Sequence, residues 1–183
     1  MGNNAETLRD KQFLFLDRDG VINVHRKNDY VKSIEEFEFL PGVEQALVAL
    51  SKRFARIIII TNQRGVGKGK MSEATLLEIH KFLRHRIEQL GGHIDAIYYC
   101  TELDDSHPQR KPNGGMAHQA KNDFPEIIFS QSIMAGDSKT DIEFGKNMGM
   151  STILIHNTIL DCIPFPDFVF PSLAAFALSM ENE

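Results

Sequence analysis

Asp17 and Asp19 sit two residues apart, directly behind the apolar run Phe13-Leu14-Phe15-Leu16 and just ahead of Gly20. Side chains alternate along an extended segment, so the two carboxylates can share a direction while Arg18 points elsewhere. Gly20 then permits a turn that a Cβ would resist. Carboxylates this close repel one another and call for a cation or a shared proton. Taken alone, an Asp-rich turn explains the triplet about as well as a reactive site does. Three further polar clusters follow. The stretch from Thr61-Asn62-Gln63-Arg64-Gly65 to Lys70 offers hydroxyl, amide and glycine-exposed N–H groups that can wrap an anion. It lacks P-loop spacing, and a solvated loop is its plain alternative. Arg110-Lys111-Pro112 sets a compact ammonium beside a restricted backbone, where an ordinary surface lysine also fits. Gly136-Asp137-Ser138-Lys139-Thr140-Asp141 places two acids one helical turn apart, as helix N-termini also do.

What positions these clusters is a repeated alternation. Short, continuously apolar runs at 13–16, 57–60, 94–99, 133–135 and 152–155 read as strands of a parallel sheet covered on both faces. Helical patterns lie between them at 41–53, 72–90, 114–122 and 138–148, and 171–180 reads as a small packing helix. Ser72 is a candidate N-cap, and Gly91-Gly92 a plausible stop. The alternation predicts an α/β fold, a doubly wound and mainly parallel sheet flanked by helices, with no large cap domain. Ligands of such sheets sit beyond the carboxyl ends of the strands. All four polar clusters fall there or just before a helix.

The chain has 183 residues, 42% hydrophobic and 25% charged, which predicts a single domain over 1–183 with a core of its own. Its net charge of −5 opposes nucleic-acid and anionic-membrane partners. Cys100 and Cys162 are too few and too far apart for a disulfide framework. The polar start carries no apolar segment, Glu6 departs from the myristoylation pattern behind Gly2, and residues 57–60 are too short to span a bilayer. Together these predict a soluble, cytoplasmic protein.

In order and placement, Asp-x-Asp, Thr61, Lys111 and Gly-Asp-x-x-x-Asp resemble the haloacid dehalogenase superfamily over roughly residues 13–150. Leu16-Asp17-Arg18-Asp19-Gly20-Val21-Ile22-Asn23, Thr61-Asn62-Gln63-Arg64-Gly65-Val66 and Arg110-Lys111-Pro112, with Gly115-Met116, are similar to the branch of D-glycero-D-manno-heptose 1,7-bisphosphate and histidinol-phosphate phosphatases. The resemblance implies a magnesium-dependent phosphatase acting on a small phosphorylated metabolite, a sugar bisphosphate ahead of histidinol phosphate, and we expect a monomer. It implies Asp17 as nucleophile and Asp19 as general acid and base, Asp19 holding a proton near neutrality with help from the neighbouring carboxylate. Thr61 and Lys111 would stabilise the transferring phosphoryl group. Asp17, Asp137 and the Asp19 carbonyl would hold magnesium. Asn62, Arg64, Arg110 and Asp141 would serve the substrate, Arg110 through a second anion and Asp141 by orienting Lys111 or a metal-bound water.

Two departures stand out. Many members of the branch carry a Cys/His zinc loop ahead of the Arg-Lys-Pro element. Here residues 100–110 hold a single cysteine, Cys100, and a single histidine, His107, too few for a four-ligand site, so no structural zinc is expected and Cys100 reads as a buried strand-end residue. Gly114 stands where relatives often have proline. Elsewhere, His80, His85 and His93 read as solvent-facing or capping groups, His25 is balanced between substrate and surface, and Phe165, Phe168 and Phe170 read as a seal over the sheet. Arg64, Lys68 and Lys70 suggest local attraction of substrate rather than nucleic-acid binding. Two other readings remain. A polynucleotide 3′-phosphatase shares a similar Thr-Asn-Gln loop, and a response-regulator receiver is also α/β with a magnesium-bound aspartate.

Overall fold

The computed structural model describes residues 8–156 and 164–181. The continuous apolar runs become strands β1 (Phe13–Leu16), β2 (Arg56–Asn62), β3 (Ala96–Cys100), β4 (Ser132–Gly136) and β5 (Ser151–Ile155), joined by a sixth, β6 (Phe168–Phe170). All pairings are parallel and the order is β3-β2-β1-β4-β5-β6. The helices are α1 (Val43–Arg53), the single turn α2 (Arg64–Gly67), α3 (Glu73–Gln89), α4 (Gly115–Asp123), α5 (Lys139–Asn147) and α6 (Leu173–Glu181).

Period-two alternation divides the core. Leu14, Leu16, Ile57 and Ile59 face one side with α1, α3 and α6, through Leu47, Leu83 and Phe176. Phe13, Phe15, Ile58 and Ile60 face the other, against Met116 and Ala120 of α4 and Phe144 of α5. Both faces are covered, which is why the runs are continuously apolar. Ser72 caps α3 as expected, its Oγ accepting from Thr75 N at 3.0 Å. Among the described residues there is no second sheet, and no helix is long and apolar enough to cross a membrane.

The structure differs from expectation at several points. Phe168 and Phe170 do pack against the core, but from a strand that extends the sheet, whereas Phe165 is 65% exposed and seals nothing. Residues 64–67 form a helical turn rather than an open loop, with Lys68 N donating to Arg64 O at 2.9 Å. His80 is buried rather than solvent-facing. The expectations for the amino-terminal residues 1–7 and for Cys162 lie outside the described residues.

Candidate active site

In this strand order the chain reverses direction of winding between β1 and β4, and the crevice beyond their carboxyl ends is where such sheets bind ligands. Leu16 pairs with Ala135, so Asp17 and Asp137 leave adjacent strands side by side. A hollow of about 180 Å³ opens there. Of the expected site residues, Asp17, Asp19, Thr61, Asn62, Lys111, Asp137 and Asp141 all line it, and so does His25.

Lys111 is the hub. Its Nζ donates to Asp17 Oδ1 and Asp141 Oδ1, each at 2.6 Å, and to the Ile60 carbonyl at 2.9 Å. An ammonium has three donors, and all three are used. Burial would lower the Lys111 pKa, but Asp141 and Asp17 outweigh it and raise it above the ordinary value. Burial pushes the Asp17 carboxyl well above the carboxylate range, opposed by Lys111 and aided by Asp141, Asp137 and Asp19. Asp137 is pushed up to about 6, chiefly by burial and then by Asp141, with Lys111 opposing. Asp141 also caps α5, its Oδ2 accepting from Ser138 N at 3.1 Å and Ser138 Oγ at 2.6 Å.

Two glycines let these acids converge. Gly20 has φ +91°, and a Cβ there would lie 2.0 Å from Asp137 Oδ2. At Gly136 a Cβ would lie 2.1 Å from the Asp141 Cβ. Neither distance is tolerable, so the absence of side chains is what closes the site.

Asp19 departs from expectation. Its carboxylate accepts from Arg18 Nη2 at 2.9 Å on both oxygens, from Asn23 Nδ2 at 2.9 Å and from Gln63 Nε2 at 2.8 Å. Burial alone would raise its pKa; the Arg18 charge and these hydrogen bonds overcome that and lower it. The neighbouring carboxylate does not hold a proton on Asp19 in this arrangement. Gln63 Nε2 also donates to Thr61 Oγ1 at 2.8 Å, tying the two expected catalytic groups together.

The remaining expected residues are placed differently. Asn62 grips the Lys111 main chain, its Oδ1 accepting from Lys111 N at 3.1 Å and its Nδ2 donating to Lys111 O at 3.2 Å. Arg64 and Arg110 do not line the hollow. The α2 turn swings Arg64 outward to Leu103 O at 2.8 Å and Asp105 at 3.2 Å, and Arg110 Nε reaches the same Asp105 oxygen at 2.8 Å. Cys100 is buried at the end of β3, with Sγ 3.9 Å from His107 Nδ1.

Sequence reasoning passed over Gln63 and His80. Gln63 lies two residues beyond Thr61 in an extended segment, which puts both on one side. His80 lies in register with Leu76, Leu83 and Ile87, a spacing that marks the buried stripe of a helix.

A family model described as polynucleotide kinase 3 phosphatase matches residues 12–153. The D-glycero-alpha-D-manno-heptose-1,7-bisphosphate 7-phosphatase of Burkholderia mallei is 35% identical over 154 residues, 78% of either chain. The chain belongs to the haloacid dehalogenase-like phosphatases of the heptose bisphosphate branch. The D-glycero-beta-D-manno-heptose-1,7-bisphosphate 7-phosphatase of Pseudomonas putida is 33% identical over 172 residues, 91% of this chain and 97% of the other. The D,D-heptose 1,7-bisphosphate phosphatase of B. bronchiseptica, solved with magnesium and phosphate, superposes with a TM-score of 0.84 at 30% identity, covering 93% of this chain and 98% of that one. This member of the branch is accordingly a phosphatase, a hydrolase of phosphoric monoesters, and the receiver reading is set aside.

The donor set of this phosphatase fits a hard divalent cation. Asp17, Asp137 and Asp141 bring carboxylate oxygens within 4.8 Å of one another. Three crowded acids, two of them driven toward protonation, gain most from an oxygen-seeking ion of charge two.

Proposed function

We propose that the protein removes a phosphate from a sugar bisphosphate of the D-glycero-D-manno-heptose 1,7-bisphosphate type, through an aspartyl-phosphate on Asp17 and with magnesium. The observation that carries this reading is the Asp17 carboxylate, buried at the strand switch point between Lys111 and two further acids. Asp17, Asp137 and the Asp19 main-chain carbonyl would hold the ion, while Asp141, whose oxygens already accept from Lys111 and Ser138, would add its charge from beside them. Magnesium, when bound, supplies positive charge that lets an anionic carboxylate approach an anionic phosphate.

The chain's own residues do the rest. Lys111 engages Asp17 Oδ1, leaving the other oxygen to attack phosphorus. The ester P–O bond breaks, and Asp19 gives a proton to the departing alkoxide. In the resting arrangement Asp19 is held ionised; a phosphate dianion brought beside it would raise its pKa, so that Asp19 takes up a proton from solvent before passing it to the alkoxide. Asp19 then takes a proton from the water that attacks the aspartyl-phosphate, releasing phosphate and restoring Asp17. Thr61 Oγ1 accepts from Gln63, so its own proton is directed to a phosphoryl oxygen, beside the Lys111 charge. Asp141 and Asn62 act by fixing Lys111. Arg64 and Arg110, paired on Asp105, stay outside the phosphoryl step.

This reading takes residues 1–183 as one domain, a cytoplasmic monomer acting on a small soluble metabolite, with no nucleic-acid or membrane partner and no structural zinc. Sedimentation and metal analysis of protein purified without added zinc test the monomer and the zinc. The substrate is tested by turnover of both anomers of heptose 1,7-bisphosphate, since the relatives carry both names, beside histidinol phosphate and 3′-phosphorylated DNA, with magnesium and with chelator. The bisphosphate should turn over fastest, and chelator should abolish it. The family model's description favours the DNA ester as the rival, and faster release from that DNA would overturn the sugar reading.

A further inference from the structure

Arg18 stands between the two aspartates in sequence, yet its side chain is only 1% exposed. A guanidinium in such a place needs acceptors for its N–H groups. Nη2 has Asp19 Oδ1 and Oδ2 at 2.9 Å and Gln63 Oε1 at 3.2 Å. Nη1 has His80 Nε2 at 3.2 Å, and the Phe37 ring centre lies 6.0 Å from the guanidinium carbon. Among the described residues Nε has no hydrogen-bond partner. Both bonds to Asp19 therefore come from one nitrogen astride the carboxylate, not from the two-pronged fork that fixes orientation. The angle of the guanidinium must be set from its other side.

His80 does that. Arginine only donates, so His80 Nε2 is the acceptor and the ring is neutral with its proton on Nδ1. Burial and the Arg18 charge hold it in that form, with a pKa down to about 3. Residue 80 is 5% exposed and its ring meets Tyr99 edge-on at 5.5 Å, so the acceptor itself is fixed.

We propose that His80 is a positioning residue for the reaction, a fixed neutral acceptor that orients Arg18 and, through it, aims Asp19 at the leaving oxygen. This rests on the reading of Asp19 as the general acid. Without the acceptor, the guanidinium turns to satisfy Nη1, and its grip on Asp19 turns with it.

The test compares kcat/KM, which reports the steps up to aspartyl-phosphate formation, for two esters in magnesium. A sugar phosphate has an alkoxide leaving group that needs a proton; 4-nitrophenyl phosphate has one that leaves without it. His80→Phe, which removes the acceptor and keeps a ring, should lower kcat/KM about tenfold or more on the sugar phosphate and less than about threefold on the aryl ester. His80→Gln, with an acceptor at the Nε2 position, should restore the sugar phosphate to within about threefold. If His80→Phe does not fold, His80→Leu should show the same split. Parallel losses on both esters, or equal damage from Gln and Phe, would overturn the proposal in favour of a packing role. Asp19→Asn serves as the control. If it shows no split, the acid reading and this proposal fall together; if it shows the split and His80→Phe does not, only the proposal falls.

Discussion

Two charge clusters in this molecule are near mirror images. In the hollow, one cation, Lys111, bridges two anions, Asp17 and Asp141, each at 2.6 Å. Beside it, one anion, Asp105, bridges two cations, Arg64 at 3.2 Å and Arg110 at 2.8 Å. The Lys111 side chain is 2% exposed and that of Asp105 is 78% exposed. Water reaches Asp105 and screens its contacts, although Arg110 is itself buried, its side chain 9% exposed. The first cluster has no such screening: Lys111 and Asp17 each alter the other's proton affinity, and the Asp141 charge acts on both. Similar pairings thus yield a reactive centre in one place and a loop fastening in the other.

The comparison is broken most severely at Asp17. Asp17→Asn keeps size and removes the proposed nucleophile, and turnover should fall by at least about 10⁴ while circular dichroism stays unchanged. An active variant would remove the hollow's special status. Lys111→Met strands two buried carboxylates, and should cost about 3 kcal/mol in chelator-treated protein by denaturant titration, besides about a thousandfold in turnover. Gly20→Ala forces the Asp137 carboxylate aside, and should raise the magnesium concentration needed for half-maximal activity by about tenfold to a hundredfold.

A smaller effect separates His80 from both clusters. Its pKa is about 3 in the folded chain against 6.5 for a free histidine. Between those values the unfolded chain binds the extra proton, so stability is lost as pH falls below about 6.5. Thermal or urea unfolding from pH 6.5 to 4.5 should show wild type losing up to about 1.4 kcal/mol per pH unit more than His80→Gln. Smallest of all, Asp105→Ala should change stability by no more than about 1 kcal/mol and turnover by less than about twofold. A large loss there would erase the contrast.

Much of this arrangement was legible in the sequence. Strands buried on both faces must be apolar throughout, so β1, β2, β4 and β5 announced themselves, and Asp17, Thr61 and Asp137 stand at or beyond their ends. The three residues of β6 are too few to show a period, and only pairing with β5 makes them a strand. The directions of Arg64 and Arg110 were not legible, because one turn of helix and a distant Asp105 decide them. Nor was the ionised state of Asp19, which is set first by the way Arg18 folds back onto it and then by Asn23 and Gln63. His80 was misread as solvent-facing, although its spacing with Leu76, Leu83 and Ile87 marks a buried stripe in which a polar ring must find a partner.

The size of the hollow carries a last consequence. At about 180 Å³ it falls short of the roughly 300 Å³ at which pockets begin to engulf whole ligands. It has room for a phosphoryl group and little more, so the body of a larger ester would extend out of it past His25, Arg26 and Tyr30, which line the same hollow as the acids.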